Sequence, residues 1–207
     1  STGSHNLSFY KMPKVWRIFD LIQWSDSYFR EKSHQNPRLE IEWMLCSLLN
    51  CERLDLYMRF DEPLSGSQLS TLRGWVKRRS KNEPLQYITQ SCEFYGIEFF
   101  VDKRVLIPRP ETERLIDEAI KSIKHVRSPN IFDIGTGSGC IAIALAKEIE
   151  NSNVLGIDKS IMSLQVAKKN SAELNVENVT FLEMDILNQY PKEKFDLVIS
   201  NPPYVPK

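Results

Sequence analysis

With 207 residues the chain has room for one large or two small domains, and its 42% hydrophobic and 26% charged residues are ordinary for a globular protein. Lys plus Arg and Asp plus Glu each number 27, so the formal net charge is zero and the global basic excess that holds duplex phosphates is lacking. Cys46, Cys51, Cys92 and Cys140 form no C-x-x-C pair and have no histidine cluster beside them, which argues against a zinc site and a disulfide framework and predicts reduced thiols.

No run approaches the ~20 apolar residues of a membrane span, and no charged-then-apolar leader is visible. Residues 1–11 are polar and aperiodic and read as a disordered tail or tag remnant, with Met12 the expected natural start. Residues 12–83 read as a helical domain. Val15, Ile18, Phe19, Ile22 and Tyr28 or Phe29 recur at near-helical spacing, and Asn36-Pro37 opens a second helix lined by Ile41, Leu45, Leu48 and Leu49. A short helix covers 53–60, Ser65-Gly66-Ser67 breaks the pattern, and a further helix carries Leu69, Leu72 and Val76. Its basic end, Lys77-Arg78-Arg79, suits a helix C-terminus complementing the dipole better than a binding patch.

Residues 84–112 change character. Glu93 to Val101 is rich in aromatic and β-branched residues, Val105-Leu106-Ile107 follows Asp102-Lys103-Arg104, and two strands joined by that polar turn are expected as a hairpin linker. From 113 onward strand and helix alternate: strands at 130–134, 154–158, 179–182 and 195–200, with helices at 140–149 and 160–174 between them. Alternation of this length predicts right-handed βαβ units and a parallel sheet, hence an α/β fold.

Four features of this second half carry chemistry. Asp133-Ile134-Gly135-Thr136-Gly137-Ser138-Gly139 follows a strand and opens a helix. Its G-x-G-x-G spacing lets the backbone approach a ligand and differs from the G-x-G-x-x-G that cradles a pyrophosphate. Asp158, at the next strand's carboxyl end, can accept hydrogen bonds from both hydroxyls of a ribose. Its competing role is to cap the following helix, which Ser160 could do instead and so leave Asp158 free. Asp185-Ile186, after the third strand, suit an adenine amine and face, or Asp185 simply caps a turn. Glycine turn and strand-end acid together favour a nucleoside-containing cofactor without choosing between a nicotinamide dinucleotide and S-adenosylmethionine.

The fourth feature decides. Asn201-Pro202-Pro203-Tyr204 directly follows the fourth strand, where open α/β sheets bind ligands. An amide nitrogen is a poor nucleophile because its lone pair is delocalised. The Asn201 side-chain oxygen and the Pro202 carbonyl can each accept one substrate N–H, favouring a pyramidal nitrogen aimed at a sulfonium methyl. Proline presets the carbonyl direction, and Tyr204 offers a flat face to a planar substrate.

These residues resemble the HemK/PrmC family, the protein-(glutamine) methyltransferases of peptide chain release factors. The likeness runs from about Arg38 to Pro206 through Arg38-Leu39-Glu40, Pro84-Leu85-Gln86-Tyr87-Ile88, Phe94-Tyr95-Gly96, Val105 to Glu113, Gly135 to Ala142, and Asn201 to Pro206. Asn-Pro-Pro-Tyr also occurs in DNA adenine methyltransferases; the Ile107-to-Glu113 run separates the two.

The resemblance implies a Rossmann-like S-adenosylmethionine-dependent methyltransferase domain over 113–207, preceded by a helical domain that docks the substrate and a hairpin linker. It implies methyl transfer to the glutamine of a Gly-Gly-Gln motif in class I release factors. The product would be S-adenosylhomocysteine, made by a cytoplasmic monomer (bacterial or organellar) without membrane or nucleic acid. Gly135, Thr136, Gly137, Ser138, Gly139, Asp158, Asp185, Ile186 and Asn201 would meet the cofactor, with Ile186 beside the adenine. Asn201, Pro202, Pro203 and Tyr204 would hold the glutamine, Asn201 and Pro202 as catalytic groups, and Arg109, Pro110 and Glu111 would close over the pocket. The family's sheet has seven strands and four are expected here, so this chain is read as lacking C-terminal strands and as inactive by itself. The alternatives are an adenine amino-methyltransferase, a binding fragment and, more distantly, a nicotinamide dehydrogenase.

Overall fold

A computed structural model describes residues 15–32 and 34–202. The chain divides into two compact units, residues 1–89 and 90–207.

The first unit is helical. Helix α1 (Ile18–Glu31) buries Ile18, Leu21, Ile22 and Phe29, and α2 (Pro37–Leu49), opened by Pro37 in its first turn, buries Ile41, Met44 and Leu45 against them. Helix α3 (Arg53–Met58) adds Leu56, and α4 (Gly66–Arg79) adds Leu72 and Val76. Ser65 to Ser67 do not interrupt the chain here but start α4. The Ser65 hydroxyl accepts from the Gln68 amide at 3.2 Å, and the Gln68 side chain accepts from the Ser65 amide at 2.8 Å, so two orphan donors are satisfied reciprocally. Two of the three basic residues at the end of α4 are engaged in ion pairs. Arg79 grips Glu40 with two 2.8 Å bonds, and Arg78 grips Glu83 at 2.8 and 2.7 Å. Glu42, only 1% exposed, is charge-compensated by Arg38 and Arg53 and accepts from the Tyr57 hydroxyl at 2.8 Å. A short helix α5 (Leu85–Thr89) closes the unit.

The second unit opens with a hairpin, β1 (Ser91–Phe94) and β2 (Ile97–Phe100), antiparallel with Phe94 opposite Ile97. The turn is therefore at Tyr95-Gly96, not at Asp102–Arg104. Both turn residues have positive φ, 54° and 68°, which matches the right-handed twist of the flanking strands. Asp102 and Arg104 instead pair with each other beyond the hairpin, and Val105–Ile107 form no strand. A single 3-10 turn, Pro110–Thr112, then leads into α6 (Glu113–Ile123).

Four strands follow: β3 (Asn130–Ile134), β4 (Asn153–Asp158), β5 (Val179–Glu183) and β6 (Leu197–Ser200). They form a parallel sheet in the order β5-β4-β3-β6, with α7 (Cys140–Glu148) between β3 and β4 and α8 (Ile161–Glu173) between β4 and β5. The chain thus steps outward from β3 through β4 to β5 and then returns to the other side of β3. Such a reversal opens a crevice at the carboxyl ends of the strands. The register places Ile134 beside Ile157 on one side and Ser200 on the other, and Asp158 beside Glu183, so all four strands end along one edge.

One sheet face carries Ile131, Val154, Phe181 and Ile199 in a core with Ile116, Ala119 and Ile123 of α6 and the almost wholly buried α7. The alternate face buries Phe132, stacked on Phe195 at 4.7 Å, while Val198 is 58% exposed. Gly156 lies in the core face, where a Cβ would come within 2.8 Å of the Phe181 ring and of the Thr136 hydroxyl. Gly156→Ala is expected to destabilise the protein by about 1–3 kcal/mol through overpacking. Chemical denaturation with an unchanged midpoint would show that the ring moves freely.

Candidate active site

The turn after β3 is pinned to β4 by its own backbone. The amides of Gly135 and Thr136 both donate to the Ile157 carbonyl, at 2.9 and 2.8 Å, and Gly139 donates to the Thr136 carbonyl at 2.8 Å. Gly135, Gly137 and Gly139 have φ of 73°, 55° and 81°, so the glycine spacing answers a conformational demand. At Gly139, which caps α7, space is short as well: a Cβ would meet Phe181, Ala167 and Ile143 at 3.0–3.2 Å.

Asp158 stands at the end of β4, half-buried. One carboxylate oxygen accepts the Gly137 amide at 3.0 Å and the other accepts the Ser160 amide at 2.9 Å. The Ser160 hydroxyl caps α8 by accepting from Ser163 at 3.2 Å, as the sequence suggests. Asp158 thus shapes the glycine turn, and each oxygen retains a further lone pair for a ligand. Asp185 follows β5, and the Met184 amide donates to the Asp158 carbonyl at 3.1 Å. Its carboxylate takes the Leu187 amide at 3.0 Å and the Asn188 side chain at 2.8 Å, which is the turn-capping role. Ile186 is half-buried beside it.

Asn201 leaves β6 at the crevice, next to the β3 end that starts the glycine turn. Ser200 ties the two strand ends by donating to the Ile134 carbonyl at 3.0 Å. The Asn201 side-chain amide donates to the Thr112 hydroxyl at 3.1 Å, and its oxygen has no hydrogen bond among the described residues. Pro202 is exposed; Pro203 and Tyr204 lie outside the described residues. Arg109, Pro110 and Glu111 sit exposed on the 3-10 turn and its entry, so it is Thr112 from this run that reaches Asn201.

Two residues matter that sequence reasoning passed over. Asn170 of α8 is 1% exposed and fully used: it donates to the Ser138 carbonyl at 2.9 Å and the Phe100 carbonyl at 3.0 Å and accepts the Phe100 amide at 2.8 Å. It braces the glycine turn against the hairpin, a job that a lone asparagine in a helix does not advertise. Asp133 is equally hidden, 1% exposed in the apolar face of β3 between Gly156 and Ile199. Thr136 donates to one oxygen at 2.7 Å, and the other oxygen lacks a partner. Burial pushes this carboxyl up to about 6, against the pull of the Thr136 hydroxyl and of the Ala142 amide, which lies near but forms no full hydrogen bond to the second oxygen. A buried acid with an open acceptor beside a glycine turn fits a ligand that brings a positive charge, such as the ammonium of S-adenosylmethionine. The close backbone approach at Gly135 to Gly139 fits its slender amino-acid tail, and Asp158 fits the ribose.

A cavity of about 330 Å³ lies within the helical unit, lined by Trp16, Trp24, Tyr28, Leu69, Leu72 and Arg73 among others; none of the strand-end residues lines it. Among the described residues no helix is long and apolar enough to cross a membrane.

Comparison with known proteins fixes the chemistry. Residues 113–207 match the family described as methyltransferase small domain, and residues 20–89 match the PrmC N-terminal domain. The α/β unit is thus a Rossmann-like S-adenosylmethionine-dependent methyltransferase domain, and the protein is an enzyme of that class. Release factor glutamine methyltransferase of Geobacter sulfurreducens is 42% identical over 194 residues, covering 94% of this chain and 67% of that protein. The protein of the same name from Chlorobaculum tepidum is 40% identical over 204 residues, covering 94% and 69%. This chain belongs to the release factor glutamine methyltransferase family and spans about two thirds of the length of these relatives. Among solved structures, ribosomal protein L11 methylase from Lactobacillus delbrueckii subsp. bulgaricus is similar over 48% of this chain and 50% of its own, with 27% identity and a TM-score of 0.41.

The Asp133 geometry sets a pH signature. Its folded-state pKa lies above the ordinary carboxylate value, so its contribution to stability is complete below about pH 4 and is lost as the pH rises through about 6. Asp133→Asn keeps an acceptor for Thr136 and removes the ionisation. Without cofactor, the variant is expected to gain on the native protein by up to about 3 kcal/mol between pH 4 and pH 7. Parallel stability curves in urea titrations across that range would rule the assignment out.

Proposed function

We propose that the protein methylates the side-chain amide of the glutamine in the Gly-Gly-Gln motif of class I peptide chain release factors. The observation that carries this reading is the placement of Asn201. It stands at the strand-end crevice beside the glycine turn, half-buried, with its nitrogen engaged and its oxygen left to accept. Family membership and the names of the relatives support the substrate.

The cofactor supplies an electrophilic sulfonium methyl, so the protein need not activate the acceptor strongly; it must present the substrate nitrogen in the right geometry. The Asn201 oxygen and the Pro202 carbonyl accept the two amide hydrogens and draw the lone pair out of conjugation. With the methyl donor bound, transfer would join its methyl to the amide nitrogen and leave S-adenosylhomocysteine, while the Asn201 oxygen and the Pro202 carbonyl would hold the two N–H groups until the surplus proton passes to solvent water. Pro203 and Tyr204, which lie outside the described residues, are assigned to the same glutamine-binding role by the resemblance of the Asn-Pro-Pro-Tyr run. Gly135, Thr136, Gly137, Ser138 and Gly139 would hold the cofactor's tail, Asp133 its ammonium and Asp158 its ribose, and Ile186 would flank the adenine. Asp185 serves by shaping the turn that holds Ile186. The helical unit docks the protein substrate, and the enzyme works in the cytoplasm as a monomer.

The same acceptor pair suits the exocyclic amine of adenine. The zero net charge and the release-factor relatives favour the protein substrate. Incubating the enzyme with labelled S-adenosylmethionine and either a class I release factor or duplex DNA separates the two. Label on the Gly-Gly-Gln glutamine, located by mass spectrometry, is expected; label confined to adenine would overturn the proposal.

Asn201→Ala should lower turnover by roughly a hundredfold or more, as loss of one preorganised polar group does elsewhere, with the loss falling mainly on catalysis. Asn201→Asp keeps an acceptor of the same shape and should retain activity above the alanine variant. Native turnover in the alanine variant would remove Asn201 from the mechanism.

A further inference from the structure

We infer that Thr112 is a positioning residue for the methyl-transfer reaction: its hydroxyl anchors the Asn201 side chain in the rotamer that presents the carboxamide to the substrate. The inference rests on the role proposed for Asn201 and extends it to a residue 89 positions earlier in the chain.

An asparagine side chain turns about two bonds, and its carboxamide stays in one rotamer only where a partner holds it. The reaction needs an acceptor toward the substrate. The Thr112 hydroxyl lies 3.1 Å from the Asn201 nitrogen and accepts from it, which turns the oxygen the other way.

The hydroxyl is itself held firmly. Thr112 ends the 3-10 turn, and its amide donates to the Arg109 carbonyl at 3.0 Å. The next residue, Glu113, accepts the Tyr95 amide at 2.9 Å, tying the segment to the hairpin turn. Ile116, one turn into α6, is fully buried in the core that also holds Ile199 of β6. On the other side, the Asn201 backbone is fixed by the pairing of Ser200 with Ile134 and by the Ser200 hydroxyl bond to the Ile134 carbonyl. Two elements thus meet through one hydrogen bond, and that bond holds the Asn201 carboxamide in place with its oxygen free to accept.

The test compares Thr112→Val, which keeps shape and removes the hydroxyl, with Thr112→Ser, which keeps the hydroxyl, each alone and with Asn201→Ala. Steady-state kinetics use a class I release factor as substrate, and cofactor affinity is read by calorimetry. Thr112→Val should lower kcat about tenfold with cofactor affinity unchanged, a loss in the range caused by misplacing a catalytic group. Thr112→Ser should recover most of it. In the Asn201→Ala background Thr112→Val should cost nothing further, because there is no amide left to orient; a purely structural role would still cost turnover there. Native kcat in Thr112→Val alongside a crippled Asn201→Ala overturns the inference, as does a full additional loss in the double variant. Native turnover in Asn201→Ala would instead remove the reading beneath it.

Discussion

The ring of Phe181 is the contact on which the site is built. It lies on the core face of β5 against the two places where a side chain would do most harm, Gly156 in β4 and Gly139 at the head of α7. Because both are glycine, α7 can seat its first turn low over the sheet. The turn before it is then short enough for the Gly135 and Thr136 amides to share the Ile157 carbonyl. The positive φ angles of the turn follow from that closeness. So does the approach of the Gly137 amide to Asp158.

Polar groups then stiffen what the ring permits, at a cost in burial. Asp133 interrupts an otherwise apolar row, and only one of its oxygens is compensated. An apolar residue there would fold with less penalty, so its presence argues for a use outside folding. Asn170 is the opposite case, a buried amide with donors and acceptor all satisfied, which adds order rather than strain. The buried thiols are quiet: burial pushes Cys140 up to about 12 and Cys92 up to about 11, which keeps them protonated and unreactive near neutral pH.

Much of this was legible in the chain itself, for identifiable reasons. The strands announce themselves as short apolar runs between helices of ordinary length, and their alternation implies a parallel sheet, whereas the return of β6 to the far side of β3 has no local signal in the chain. Glycine spacing and the asparagine–proline pair were visible because their residue types have few other reasons to stand together. The hairpin turn was misplaced because Tyr95-Gly96 carries a bulky aromatic at a positive φ, whereas Asp102-Lys103-Arg104 has the polarity usually found in turns. Asp185 was ambiguous because a strand-end acid can serve a ligand or its own turn, and only the Leu187 and Asn188 contacts show the turn being served. Thr112 and Asn170 were invisible for a different reason. Each acts on a partner far away in sequence, and nothing local marks a threonine or asparagine for that task.

The pairing of β6 with β3 has an implication for how the site tolerates changes in chain length. Along β6 alternate residues face opposite sides: Ile199 enters the core, whereas Val198 and Ser200 are exposed. A single residue inserted within Leu197–Ser200 would carry Asn201 to the wrong side of the sheet and away from Thr112, since strand side chains alternate strictly. The connection between β5 and β6 is under no such rule. Its exposed Leu187 and Tyr190 belong to a segment whose length does not set the strand's register. Additions and deletions should therefore accumulate in that connection and vanish abruptly at Leu197, a boundary drawn by hydrogen-bond pairing rather than by nearness to the reacting atoms.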